Sequence, residues 1–292
     1  NDVPTDLSTI YINNSSTTGN TITQANLNTT NSASTDTTSN FGACVAIDDY
    51  NTLVIGEYDS NGNNGKIHVF KFQGENNGLT PRWLYHTSLS LSASENNTTY
   101  SFFPRYVSVD RDMIIGRGYK DQQGKVYTFA ATTSNGFDQW GNPNSINTNT
   151  GTNDRYVDFD WSALTQETQI ITGNYSSNMT KDYYFGYAMD IDRKLMMIGA
   201  HETNYTKTNN TTATDAGCVF VYERSSFTST TYNLLEIITS ASKENEDDET
   251  LIQENNYFGR AIKVNGDTYQ NNANIALITS PGNNIDVNNN KF

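Results

Sequence analysis

The chain has 292 residues, room for one large all-β domain or two small ones. A net charge of −14, with 18 Lys and Arg scattered along the sequence, excludes a sequence-independent nucleic-acid binder and disfavours an anionic membrane surface. A hydrophobic share of 35%, with 40 Asn and 39 Thr, favours strands and turns over helices, while 18 Tyr argue against disorder.

In chain order, the first strand-like stretches are residues 6–12 and 21–28, followed by a Ser-Ala-Ser triplet at 32–34. A unit then begins that recurs four times. It opens with FGACVAID at Phe41, FPRYVSVD at Phe103, FGYAMDID at Phe185 and FGRAIKVN at Phe258. Each opening is an aromatic residue followed by strand-like alternation. A short apolar run ending in a breaker comes next: LVIGEY from Leu53, MIIGRG from Met113, MMIGAH from Met196 and ALITSP from Ala276. Runs this short, bounded by turn residues, read as buried strands. Between the two lie Asp48-Asp49, Asp110-Arg111-Asp112, Asp192-Arg193 and Asn265-Gly266-Asp267, which are turn-forming residues. A third strand follows in three units: GKIHVF from Gly65, GKVYTF from Gly124 and GCVFVY from Gly217, apolar at every second position. A fourth, variable element precedes each opening Phe. The Ser-Ala-Ser triplets at 32–34, 92–94 and 240–242 are taken to mark it.

These four-strand units predict an all-β, β-propeller-like domain of about four antiparallel four-stranded blades spanning 1–292. The boundaries are 41–102, 103–184, 185–257 and 258–292, with residues 1–40 supplying closing strands. The last unit is short, so the N-terminal strands are expected to complete it and hide two sheet edges.

Ten Asn-x-Ser/Thr sequons, at Asn13, Asn14, Asn28, Asn96, Asn97, Asn174, Asn178, Asn204, Asn209 and Asn210, point to a secreted glycoprotein. The opening Asn1-Asp2-Val3-Pro4 lacks a leader pattern, so a signal peptide, if one existed, is expected to have been removed, and no apolar window is long enough to insert into a membrane. Cys44 and Cys218 are too few for a disulfide framework and fall in different units, too far apart to pair. Asp59, Asn61 and Asn63 in DSNGNNG resemble alternate calcium ligands, but the closing glutamate is missing and an Asn-Gly turn explains the segment. The longer turn with Asn265, Asp267, Tyr269 and Asn271 reads the same way. No cofactor is therefore expected. The acidic run Glu244, Glu246, Asp247, Asp248 and Glu249 reads as a solvated loop. Asp48, Asp110 and Asp192 recur at one phase, which favours a structural role over a glycosidase carboxylate pair. His68, His86 and His201 fall in different repeat positions and form no catalytic pattern, and His68 is expected on the strand face opposite Ile67 and Val69.

The pattern FG-x-x-V-x-I-D, then L-V-I-G, then G-x-V-x-V-Y-E-R is similar to the FG-GAP repeat of integrin alpha chains and their microbial relatives, with residues 185–224 the best match. The resemblance implies a β-propeller with a role in adhesion, ligand recognition or extracellular scaffolding. Pro104 replaces the glycine of the second unit, and Thr279-Ser280-Pro281 stands where Gly-Ala-Pro is usual. Three of the turns are too short for the family's D-x-D-x-D-G calcium loop, so calcium is not implied. The expected function is a non-enzymatic adhesion or structural module at the cell surface, with proteins, identical subunits or glycans as partners. A filament or coat built by strand exchange is one version of it. The alternative is a carbohydrate-binding module that stacks sugars on exposed Tyr and Trp such as Trp83, Trp140 and Trp161, aromatics that core packing explains at least as well, and a glycoside-acting enzyme ranks below both.

Overall fold

A computed structural model describes residues 39–48, 52–59, 65–73, 82–96, 102–120, 123–131, 159–164, 166–180, 184–241, 249–265 and 275–282. The N-terminal closing strands, and the first Ser-Ala-Ser triplet, lie outside these residues.

The strands pair as sequential antiparallel meanders. β1 (Ser39–Ile47), β2 (Thr52–Asp59), β3 (Lys66–Gln73) and β4 (Arg82–Ser90) form the first sheet in that order. β5 (Val107–Asp110), β6 (Met113–Lys120), β7 (Gln123–Ala130) and β8 (Gln169–Thr172) form the second. In the third, β9 (Met189–Asp192), β10 (Leu195–Ala200), β13 (Cys218–Glu223) and β14 (Asn233–Ile238) pair in sequence. A small hairpin of β11 (Tyr205–Thr206) and β12 (Thr212–Ala213) interrupts the β10–β13 connection. β15 (Ile262–Asn265) and β16 (Ile275–Ile278) make a two-stranded fourth sheet. Among the described residues helix is confined to single turns, Ala93–Asn96 and Glu249–Leu251.

The fourth strands lie upstream of the Ser-Ala-Ser triplets. Ser92-Ala93-Ser94 and Ser240-Ala241 fall after β4 and β14, in the chain that leaves the sheet, so the triplet marks an exit and not a strand. The small side chains suit that exit: Ser92 N–H and Oγ both donate to Glu167, and Ser240 Oγ donates to the Leu251 carbonyl.

Successive side chains point to opposite faces, so continuous apolar runs such as β10, buried along its whole length, put apolar residues on both faces and need a neighbour on each side. Val54, Ile67, Val69 and Leu89 of the first sheet meet Val109, Ile114, Tyr127 and Phe129 of the second, together with Phe103 and Trp161. Ile115, Val126 and Ile171 on the other side of the second sheet pack with Phe185, Ile191, Met196, Ile198 and Phe220. Met197, Val219 and Val221 then meet Val264, with Phe258, Ile262 and Ile278 alongside. The first strands β1, β5, β9 and β15 adjoin one another in that order.

The repeated sequence signals are the parts of these junctions. Gly65, Gly124 and Gly217 open the third strands. A Cβ at any of them would overlap the carbonyl oxygen of Phe103, Phe185 or Phe258, the Phe that opens the next unit. Glycine is thus required by the approach of one sheet's backbone to the next. Where the glycine of the Phe-Gly pair is present, at Gly42, Gly186 and Gly259, its φ is +84, +81 and +88. Pro104 cannot adopt that conformation, and in the second unit Phe102 instead has φ +25.

Polar latches join the same turns. Asp48 accepts a hydrogen bond from the Arg111 backbone N–H at 3.1 Å, and Asp110 accepts the corresponding bond from Arg193 N–H. Asp48 and Asp110 therefore each hold the turn of the following sheet. Asp192 lies 3.9 Å from both Arg111 and Arg193. Asp190, buried on β9, accepts from Ser108 Oγ of the second sheet at 3.0 Å and from Val264 N–H of the fourth at 2.8 Å. Arg224 ends the Tyr-Glu-Arg signature and is fully buried. It donates two parallel hydrogen bonds to Asp112 at 2.7 and 2.9 Å and a third to the Arg193 carbonyl at 3.1 Å.

Removing the guanidinium would strand a buried carboxylate. Arg224→Met is expected to cost about 3–5 kcal/mol in urea unfolding, and adding Asp112→Leu should recover a large part of the loss. A cost below about 1 kcal/mol, or a double variant no more stable than the single, would show that the pair does not bear on stability.

Candidate functional site

The segments that enter the first strands lie at one end of the stack, beside the ends of the second strands. Arg105 and Tyr106 immediately precede β5, Tyr184 and Tyr187 precede β9, and Tyr257 and Arg260 precede β15, while Tyr58, Arg117 and Tyr119 come from the ends of β2 and β6. The backbone fixes this geometry: Arg105 N–H donates to the Arg117 carbonyl at 2.8 Å, and Arg117 N–H to the Tyr106 carbonyl at 2.9 Å.

Two adjoining cavities open here and share Arg105 and Tyr106 as their common wall. One, of about 620 Å³, is lined by Phe102, Arg105, Tyr106, Arg117, Tyr119, Tyr184 and Tyr187. The other, of about 660 Å³, is lined by Asn40, Phe41, Gly42 and Ala43 of β1 with Tyr58, Arg105 and Tyr106. Among the described residues no carboxylate lines either one.

Arg105 is exposed, with its guanidinium carbon 5.1 Å from the ring centres of both Tyr58 and Phe102. Arg117 is buried, and its Nε–H donates to the Phe185 carbonyl at 3.1 Å. Tyr106 and Tyr187 face each other at 5.1 Å between ring centres. Burial and the Tyr187 hydroxyl push the Tyr106 phenol up to about 12, against the pull of Arg117 and Arg105, so it stays a neutral donor and acceptor. Beneath this wall His201 packs 4.7 Å from Tyr187 and 5.2 Å from Tyr184. Burial first, then the charges of Arg260 and Arg117, pull its pKa down to about 4. Its Nδ1 is buried with no hydrogen-bond partner.

The other residues singled out in the sequence are dispersed. Asn61 and Asn63, and Asp267, Tyr269 and Asn271, lie outside the described residues, while Asp59 and Asn265 end β2 and β15. No group of three His, Cys, Asp or Glu side chains placed to hold a metal occurs among the described residues. Of the sequons, Asn13, Asn14, Asn28 and Asn97 lie outside the described residues, and Asn96 closes the one-turn helix. Asn174, Asn209 and Asn210 are exposed, and Asn178 and Asn204 half-buried. Cys44 on β1 and Cys218 on β13 are free thiols in different sheets, and burial pushes the Cys44 thiol up to about 12. Asp110 is raised to about 6 by burial, opposed by Arg111 and the Arg193 N–H and reinforced by Asp192. Of the acidic run, only Glu249 is described. It accepts from Thr208 N–H and Oγ1 at 3.0 and 2.8 Å.

Trp161 is fully buried in the core between the first two sheets, Trp83 packs against Phe72, and Trp140 lies outside the described residues. A relay that sequence reasoning missed lies on the first sheet's outer face. Glu57 bonds His68 Nε2 at 2.6 Å, His68 Nδ1 bonds Ser88 Oγ at 2.8 Å, and Ser88 Oγ bonds the Tyr85 hydroxyl at 2.7 Å. His68 does lie opposite Ile67 and Val69, flanked by the rings of Phe41 and Tyr85, and this chain satisfies its buried nitrogens. His86 bonds Asp160 at 3.2 Å elsewhere.

No protein-family model and no curated protein matches the chain. Among solved structures, a crystal structure of a protein from Lactobacillus plantarum is similar over 68% of this chain and 71% of its own, at 10% identity and a TM-score of 0.20. A likeness at that level carries no argument about fold or function. Among the described residues, no helix is long and apolar enough to cross a membrane.

His201 gives the site a pH signature. Its folded pKa of about 4 lies below the ordinary 6.5, so between these values the unfolded chain binds the extra proton and stability falls with acidification. Asp110 acts in the opposite sense, since its raised pKa adds stability as pH falls, and it is common to wild type and variant. The thermal midpoint of His201→Gln is therefore expected to drop less than that of the wild type from pH 7 to about 4.5. Equal drops in the two proteins would rule out a neutral buried imidazole.

Proposed function

We propose that this chain is a non-enzymatic extracellular adhesion or structural module of the FG-GAP type, whose stacked sheets are the blades of a propeller of about four blades. The observation that carries the recognition role is the cleft: tyrosines and two arginines converge at one end of the stack, and none of its described lining residues is a carboxylate. The exposed sequon residues Asn174, Asn209 and Asn210 support secretion and glycosylation. The partners are surface proteins, identical subunits or glycans.

Fluorescently labelled protein is expected to bind cell surfaces, and Arg105→Glu with Tyr187→Ala should reduce the bound fraction about tenfold or more at an unchanged unfolding midpoint. Undiminished binding by that variant would remove the cleft from the adhesive role.

Ring closure belongs to the same proposal. Phe103, Phe185 and Phe258 each rest against the preceding sheet, whereas Phe41 faces outward beside Leu53, Ile55 and Phe70. Val45 and Ile47 on that side of β1 are 64% and 59% exposed, and Leu277 of the fourth sheet is 68% exposed. Ser39 and Asn40 belong to the first sheet, so in this proposal the strand-like stretches 6–12 and 21–28 are the ones that complete the fourth sheet, which then covers this face. With Cys44 changed to Ser, Val45→Cys and Leu277→Cys are expected to be joined within one molecule by a short bismaleimide. Disulfide-like ladders of crosslinked multimers would instead favour head-to-tail strand exchange, and no crosslink would dispose of closure.

A further inference from the structure

The cleft has a chemical preference that follows from its parts, and the inference rests on the recognition role proposed above. The chain carries 32 acidic residues, yet the described lining of both cavities contains only the charges of Arg105 and Arg117. The cleft is a locally cationic basin on an anionic protein. A long polyanion would meet the repulsion of the whole surface, whereas a small anion meets the two guanidinium groups alone.

The orientation of Arg105 narrows the choice. Its guanidinium is set between the rings of Tyr58 and Phe102, at 5.1 Å from each. Exposed beside these two rings, the guanidinium keeps N–H groups available to a ligand, and their fork matches the two oxygens of a carboxylate. No carboxylate of the described residues pairs with it. The tyrosines of the larger wall supply apolar ring faces and hydroxyls together, and Tyr184 and Tyr187 are held edge to face at 6.0 Å over the His201 ring. Such surfaces suit the C–H face and hydroxyl rim of a pyranose, and about 620 Å³ is in the range that holds a small ligand.

The repeat itself marks these residues. The position after each Phe-Gly or Phe-Pro pair is Ala43, Arg105, Tyr187 and Arg260, three kinds of side chain at one repeated place in the scaffold. Three of them line the cavities, and Arg260 lies 5.8 Å over the ring of Tyr257, whose own ring is 6.3 Å from His201.

We propose that the cleft binds a carboxylated sugar, with Arg105 gripping the carboxylate and the Tyr106–Tyr187 wall holding the ring. The test is calorimetric titration of the full chain with sialyllactose and trigalacturonate, set against lactose, fully methyl-esterified trigalacturonate and AMP. At least one acid sugar is expected to bind, with its neutral counterpart about tenfold or more weaker. Arg105→Gln should lose about tenfold or more for the acid sugar at an unchanged unfolding midpoint. Tyr187→Phe should retain the ring contact and most of the affinity.

Equal binding of acid and neutral forms, or wild-type affinity in Arg105→Gln, would overturn the carboxylate assignment. Tighter binding of AMP than of either acid sugar would replace it with a nucleotide site. Silence toward all five compounds would overturn it as well, while leaving cell-surface binding through the cleft to stand or fall on its own assay.

Discussion

The structure depends on the close approach of one sheet's backbone to the next. Each third strand begins with a glycine under the carbonyl of the following unit's Phe, and a single Cβ there would force the sheets apart. With that spacing held, the apolar residues on both faces of a thin sheet find partners, and a modest apolar content suffices. The carboxylate latches at Asp48 and Asp110, the bridging Asp190 and the buried Arg224–Asp112 pair all span distances that this approach sets.

The cleft inherits its rigidity from the same joints. Arg105 and Tyr106 sit one step from Phe103 and Pro104, which are wedged against the first sheet, and Arg117 ties its own strand to the Phe185 carbonyl. The side chains that would meet a ligand are therefore carried on segments already fixed for packing. Such an arrangement lowers the ordering cost of binding.

Much of the scaffold was legible in the sequence because its signals are physical necessities: Phe and Gly mark where sheets touch, and short continuous apolar runs mark strands buried on both faces. The fourth strands were less so. RWLYHTSLS, QIIT and NLLEII share no pattern, and the Ser-Ala-Ser triplet that does recur belongs to the chain leaving the sheet. The turn aspartates read as structural: Asp48 and Asp110 accept from backbone amides of the following turns, while Asp192 lies beside the Arg111 and Arg193 side chains. The cleft was not legible by motif, since Tyr58, Arg105, Arg117 and Tyr187 come together only when three sheets stack. Variation at the position after each repeated Phe pair was the one signal available. Trp161 had two readings because an aromatic ring looks alike in a sequence whether it lines a surface or fills a core, and it fills the core.

The latches at Asp48 and Asp110 also have a direction, since each of these carboxylates reaches forward to a backbone N–H of the next turn. A segment copied in tandem would bring with it an outgoing carboxylate, an incoming amide, and the glycine and Phe of the joint, and would fit between two existing neighbours without altering either. Growth of the gene by whole-unit duplication is thus built into the architecture, and a longer or shorter relative would need no new kind of contact.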